Sequence, residues 1–600
     1  MAGRFYTLGL WGSRWHTACI VRASDMNFER SVLSRLSWRC LLCVGFVVNC
    51  LTSVPASAQG DDSAPDPSLI DVVDVVLVNV EVWVTDRKGN PIEGLGEDDF
   101  EVFEDGRPVE ITHLAEIRGG QPAAPATPSE SSAITSGSPV PAAESTPAHL
   151  VFYFDQLHMG ATSVRRIAKD LERFLAAENV PTSRVAILSQ GYDLNLLADF
   201  GSTLAELLSA LERIAESNPA AGGSLDARLA IRRMQQSWEF AKQSPSPCRQ
   251  MVNQARAEIT SRVAELQHQF GITLDNLHAT TRFLAGLPGL KMLVLVSDSL
   301  ELDPGRDLLR FAQNVCPNER DLNELSLLGD GAGLRQDLVD LALSANANRV
   351  TFYPMQASGL SPSSIFGAEN RGLDTVASRG VDSLMRQVQQ DGLLSLARET
   401  GGVATINRNN FGKPLQSVAR DMQSFYSLAY APKESGTGKN RSIEVRVKVP
   451  RASVRHRPGY RDKSAGEIRN EKLEGAIAFG LMDNPLALRL GVGDIVQEAE
   501  ESLAIPLHLL VPAENLAFLP NPQPEARLEI VVRASEASSG DVVELTEVVT
   551  AGPPADGSEL CDLVVDLTLP PGVYVLGVAA RDLATNLTSV VSTTVSIDSR

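Results

Sequence analysis

The sequence predicts an α/β protein: a doubly wound, mostly parallel sheet, preceded by a small N-terminal β domain and followed by a C-terminal β-sandwich. Three observations predict it. Short, unbroken apolar runs such as HLVFYF (149–154) and KMLVLV (291–296) read as strands buried on both faces. Helix-patterned segments lie between them, and such alternation implies right-handed crossovers around one sheet. Before residue 117 and after residue 500, Val-rich alternation broken by Gly, Pro, Asn and Asp takes over, the pattern of antiparallel strands.

The 600 residues exceed what one hydrophobic core serves. At 43% hydrophobic and 21% charged, the chain is ordinary globular material, and its formal charge of −20 excludes nucleic acid as a partner, because phosphate binding needs clustered Lys and Arg. Residues 1–58 read as a leader and signal peptide. From Arg39 a basic flank precedes an apolar stretch of about a dozen residues, then Ala56-Ser57-Ala58 supplies the small-x-small cleavage pattern. The stretch is short for a membrane span, although a buried helix or an anchor is the alternative. Cleavage near Ala58 sends the chain to the periplasm, the cell envelope or the medium, with no transmembrane span left in the mature chain; Met26 is a more usual start than Met1.

Four of the seven cysteines fall in that leader, leaving Cys248, Cys316 and Cys561. In an oxidising compartment Cys248 and Cys316 can pair, since both fall in apparent insertions of one domain; two free buried thiols are the alternative. Residues 69–117 form the small β domain, with Asp105-Gly106 at a tight hairpin. Residues 119–147 are Pro, Ala, Ser and Thr with almost no large apolar side chain, a disordered linker that cannot bury enough surface to offset its ordering entropy.

Residues 148–462 carry the α/β pattern. The first strand ends on Asp155, a helix places Val164, Ile167, Leu171 and Phe174 on one face, and RVAILSQ (184–190) and an antiparallel LNLLADF (194–200) follow. KMLVLVSDS (291–299) ends on Asp298, and NRVTFYPM (348–355) and FYSLAYAP (425–432) complete the strands. Helical insertions near 217–270 and 303–335 enlarge the domain and either cap the sheet edge or merely cover the sheet. In open α/β sheets, ligands sit at the carboxyl ends of the strands, so Asp155 and Asp298 are the candidate site.

The order of these elements resembles a von Willebrand factor type A domain. More narrowly, NVEVWVTDRKGNPIEGLGEDDFEVFEDG (79–106), ARETGG (397–402), FYSLAYAP and RSIEVRVKVPRASVRHRPGY (441–460) are similar to exported bacterial proteins related to that domain. The resemblance implies a metal-ion-dependent adhesion site, where an Asp-x-Ser-x-Ser loop, a Thr and a distal Asp hold Mg²⁺ and leave a position for a partner's carboxylate. Asp155 matches the first aspartate and Asp298 the distal one; Ser202 and Thr203 lie beside the threonine position, which falls near Gly201. The two serine positions are Leu157 and Met159, which cannot ligate Mg²⁺. The resemblance therefore implies a degenerate site, with no cofactor expected and Mg²⁺ the ion that the pattern would hold. A zinc site with His158 is the remoter alternative, and helix capping is the plain role for both aspartates.

No Gly-x-Ser-x-Gly or His-Glu-x-x-His occurs, and SGTGKN (435–440) lacks the spacing of a phosphate loop. After a charged linker (461–475), residues 476–600 read as an immunoglobulin-like β-sandwich, with Pro570-Pro571-Gly572-Val573-Tyr574 resembling the turn into one of its strands. The expected function is an exported, non-enzymatic protein-binding or adhesion-type module. The alternative is a cell-envelope enzyme, or an enzyme's accessory subunit, with an unrecognised carboxylate site.

Overall fold

The Val-rich run beyond residue 77 forms β1 (Val78–Thr85), followed by β2 (Phe100–Glu104), β3 (Arg107–Val109), β4 (His113–Arg118) and β5 (Gln121–Pro122). A computed structural model of the chain describes residues 77–123, 148–177, 180–217, 219, 224–325, 332–360, 380–480, 483–499, 502–521, 523–554 and 559–597. The leader and most of the expected linker lie outside them. Asp105 and Gly106 turn β2 into β3 at φ 49° and 74°, as the Asp-Gly pair predicts. Gln121 and Pro122, within the expected linker, instead pair as β5 with β4.

The central sheet is built from β6 (His149–Asp155), β7 (Val185–Gln190), β8 (Leu194–Ala198), β9 (Lys291–Ser297) and β10 (Val350–Phe352), with β11 (Met355–Gln356) continuing along β9. Their order is β10-β9-β6-β7-β8, parallel except for β8. The chain leaves β6 toward β7, then returns to its other side with β9, so the strand order reverses at β6.

Both faces of that sheet are covered. On one, Phe152, Phe154, Ile187 and Val294 pack against α1 (Ala161–Ala176) and α2 (Leu204–Glu216). After α2 come α3 (Ser224–Ala241), α4 (Pro247–Phe283), α5 (Arg306–Val315), α6 (Asp321–Leu325), α7 (Ala332–Ala347), α8 (Val381–Thr400) and α9 (Gly412–Gln423). The second face sets Val151, Tyr153, Leu293 and Leu295 against Phe270, Leu274 and Leu277 of α4, Leu341 of α7 and Leu393 of α8. Helix α4 spans 37 residues, about 55 Å at 1.5 Å per residue; it runs past the end of the expected insertion near residue 270 because the lone Gly271 costs about 1 kcal/mol, too little to stop a helix packed along one side. Its first half joins α3, α5 and α6 in a separate apolar cluster containing Ile231, Met251 and Phe311. A disulfide between Cys248 and Cys316 ties this cluster, with 5.6 Å between the Cα atoms, while Cys561 is a free buried thiol.

The strands after α9 correct the expected domain boundaries. β12 (Phe425–Tyr430), β13 (Asn440–Val447), β14 (Ser453–Arg455) and β15 (Gly459–Arg461) do not extend the central sheet. They complete the N-terminal β module in two sheets, β14-β1-β12-β4-β5 and β15-β13-β2-β3, around Val80, Val82, Tyr426 and Leu428. The β module is thus split, and the α/β region is inserted into it. Trp83 joins the two: its Nε1 donates to the Asp421 carbonyl, the Arg455 guanidinium lies 4.9 Å over its ring, and Asp421 accepts from Arg455 and Tyr353.

The expected charged linker is largely a helix, α10 (Ala465–Phe479), opened by a reciprocal cap between Ser464 and Glu467. Its charges are paired rather than solvated, through Lys463 with Glu471, Arg469 with Glu529 and Lys472 with Asp483. One side fits against the end of α4, and the other sets Leu473, Ala476 and Ile477 on Val531, Ala579 and Val590 of the last module. That module contains β16 (Arg489–Val492), β17 (Val496–Ala499), β18 (Ser502–Pro512), β19 (Leu519–Asn521), β20 (Gln523–Glu536), β21 (Val542–Ala551), β22 (Leu560–Leu569), β23 (Gly572–Asp582) and β24 (Thr588–Ile597). They form two antiparallel sheets around one apolar core.

Candidate functional site

The parallel strands β6, β7, β9 and β11 each end on a polar residue, and the register brings these residues into one row. Asp155 of β6 lies opposite Gln190 of β7, and Ser297 of β9 opposite Gln356 of β11. The Ser297 hydroxyl donates to Asp155 Oδ2 at 3.0 Å. This row crosses the carboxyl edge where the strand order reverses, the position at which open α/β sheets form a crevice.

The turn after β6 adds the next layer. His158 returns over the strand end, its Nδ1 2.8 Å from the same Asp155 Oδ2. A carboxylate only accepts, so Nδ1 is the donor. Burial opposes charge on this ring, but Asp155, Glu301 and Asp298 outweigh it and hold the imidazole above its ordinary range. Asp298, one residue beyond β9, accepts from the Gly160 N–H at 3.0 Å and the Ser163 hydroxyl at 2.9 Å, both through Oδ2. It is thus tied to the start of α1, close to the capping role expected of it. Burial pushes Asp298 up to about 6, against the lowering effect of those two donors and of Arg166.

Helix α4 roofs the edge. Its Thr273 lies 3.5 Å from His158 Nδ1 and accepts from Gln190, whose side-chain oxygen accepts from Tyr153. Farther along, Arg262 donates to Glu301, which follows β9, and Asp307 at the start of α5 lies in the same buried group. Burial raises both Glu301 and Asp307, against the charge of Arg262. Under this roof Asp155 is 0% exposed and Asp298 4%.

Ser202 and Thr203 are elsewhere. Because β8 runs antiparallel, the chain after it returns to the amino ends of the parallel strands, where the Gly201 N–H bonds to the Ser183 carbonyl just before β7. Thr203 caps α2 there, exchanging hydrogen bonds with Glu206. Neither hydroxyl faces Asp155, which corrects the expected ligand set. Leu157 and Met159 are buried apolar side chains, Met159 within the core beside α1.

Mg²⁺ takes near-ideal octahedral oxygen ligands, and the residues present do not fit it. The edge offers two carboxylates whose Oδ2 atoms are already engaged by protein donors, with apolar side chains at both serine positions. Among the described residues, no group of three or more His, Cys, Asp and Glu side chains is arranged to hold a metal. The Oδ1 atoms of Asp155 and Asp298 and the Ser299 hydroxyl are buried without a hydrogen-bond partner.

No family model and no curated protein matches this chain. The geometry alone carries the functional argument. Among the described residues, no helix is long and apolar enough to cross a membrane. Sequence reasoning found Asp155 and Asp298 but passed over Ser297, Gln190 and Thr273. Ser297 and Gln190 had a signal, a polar residue closing each apolar run; Thr273, inside a long helix, had none.

Proposed function

We propose that the chain is an exported, non-enzymatic protein-binding module built on a von Willebrand factor A-like domain that has lost its metal dependence. One observation carries the reading: the carboxyl edge is filled by the chain's own polar side chains and roofed by α4, so contact with another molecule falls to the outside of the roof and its rim. Two aromatic side chains stand in solvent, Tyr192 in the β7–β8 turn that follows Gln190, at 63% exposure, and Phe240 at 69% on α3, the helix paired with the first half of α4. Exposed aromatic side chains are enriched where proteins bind one another. The Cys248–Cys316 bridge supports export, because such bonds persist in oxidising compartments.

A second reading, a cell-envelope enzyme or accessory subunit using a carboxylate, is favoured by Asp298, held at about 6, in the range of a proton-transferring group. Its burial beneath α4 weighs against it. Photo-crosslinking residues placed separately at positions 192 and 240 of the full chain, in the envelope of its source cells, test the choice. The expected result is one protein adduct common to both positions, unchanged by EDTA and lost with Tyr192→Ser or Phe240→Ser in non-crosslinking positions of the same chain. An adduct that vanishes with EDTA, or a hydrolytic activity of the purified chain that Asp298→Asn abolishes, refutes the reading.

A further inference from the structure

The resemblance puts a dication on Asp155; this chain puts an imidazole there. His158 arrives by a single 3₁₀ turn directly after β6, and its ring, 2% exposed, donates to Asp155 Oδ2 at 2.8 Å. Ser297 donates to the same oxygen from β9, and Thr273 closes over the ring from α4. Three elements thus converge on a group that an exchangeable ion would otherwise bridge. On the other carboxylate, Gly160 and Ser163 do the same for Asp298 Oδ2.

We infer that His158 holds the place of the cation: its tethered ring donates to Asp155 Oδ2, locks the β6 turn to the strand row, and excludes a metal from the edge. This rests on the metal-independent binding reading above and names the group responsible. A hydrogen bond from a covalently attached donor needs no free ion and has no dissociation constant. The edge is therefore ordered at any metal concentration, whereas a site built from carboxylates and hydroxyls is ordered only when loaded. Removing the ring takes one of two side-chain donors from Asp155 Oδ2, leaving Ser297, at an edge where Asp155 Oδ1, Asp298 Oδ1 and the Ser299 hydroxyl are already buried without partners. His158→Ser puts a hydroxyl oxygen, a ligand type that hard cations take, where the ring was.

The test is a Mn²⁺ titration of the full chain, followed by electron paramagnetic resonance of the free ion and by thermal melting. The wild type is expected to show no saturable site and no change in melting temperature, and His158→Ser to gain one saturable site with a matching rise, since only a ligand that prefers the native state raises it. His158→Asn, which keeps an N–H donor near Asp155, is expected to stay metal-free. If His158→Ser does not fold alone, refolding with Mn²⁺ is expected to recover its melting transition, and failure to recover it counts against the inference. Saturable Mn²⁺ binding by the wild type, lost with Asp155→Ala, overturns both the inference and the metal-independent reading. A folded His158→Ser that binds no Mn²⁺, with the wild type equally silent, overturns the role of His158 and leaves that reading standing.

Discussion

Asp298→Asn isolates the electrostatic cost stored beneath α4. The side chain keeps its shape: an amide oxygen can accept from Gly160 and Ser163, as Oδ2 does now. What changes is the charge. In the folded chain Asp298 titrates at about 6, against 3.8 for the free group, so protonation is favoured by folding. Its contribution to stability is fully present below about 3.8 and is lost as pH rises through about 6. At roughly 1.4 kcal/mol per unit, the shift corresponds to about 3 kcal/mol, an order-of-magnitude figure. The stability of Asp298→Asn relative to wild type should therefore grow by about that amount between pH 4 and pH 7. The assay is chemical denaturation of both proteins at half-unit pH steps, read by intrinsic fluorescence. A difference that is flat with pH, or that shrinks toward neutrality, refutes the argument.

Three further outcomes are expected. Replacing Cys248 and Cys316 by Ser opens a loop closed over a separation of 68 residues, a chain-entropy loss of up to about 4 kcal/mol; protease cleavage in α3 and the first half of α4 should appear before any loss of the central sheet. Gly475→Ala sets a Cβ 2.4 Å from the Phe283 carbonyl, a backbone atom that cannot swing aside. Overpacking of this kind costs about 1–3 kcal/mol, and the last module should become separable by limited proteolysis between β15 and β16 while keeping its own melting transition. Trp83→Phe removes the Nε1 bond to Asp421 and weakens the contact with Arg455. A loss of about 1–2 kcal/mol by denaturant titration is expected for the buried carbonyl left behind.

The parallel strands were legible because a strand buried on both faces must be apolar throughout, and HLVFYF, VAIL and MLVLV have no other economical reading. The Asp-Gly hairpin was legible for an equally local reason. Asp155 and Asp298 were found by their places at strand ends. Ser202 and Thr203 were assigned to the wrong end of the sheet even though the antiparallel sense of β8 had been read correctly: a strand that turns back carries its following loop to the opposite edge. The β module was misdivided because strand pairing depends on partners hundreds of residues away, to which local periodicity is blind. Helix α10 was hidden by its charges, which look like solvated linker until their partners on neighbouring elements are known; the Ser464 to Glu467 spacing was its one local signal.

The split β module also sets an order in time. Val82 pairs with Tyr426 and Val102 with Val445, so β1 and β2 reach completion only after about 340 more residues have been made. At roughly 5–20 residues per second of synthesis, that is a wait of about 17–70 s for strands with open edges. The inserted α/β region has its own core and can begin to fold during this interval, and the Gly120 N–H bond to the Gln423 carbonyl then sets the start of β12 beside the end of β4. Its folding converts a distant pairing into a nearby one, so a substitution deep in the α/β core should first show itself as aggregation of the unpaired N-terminal strands.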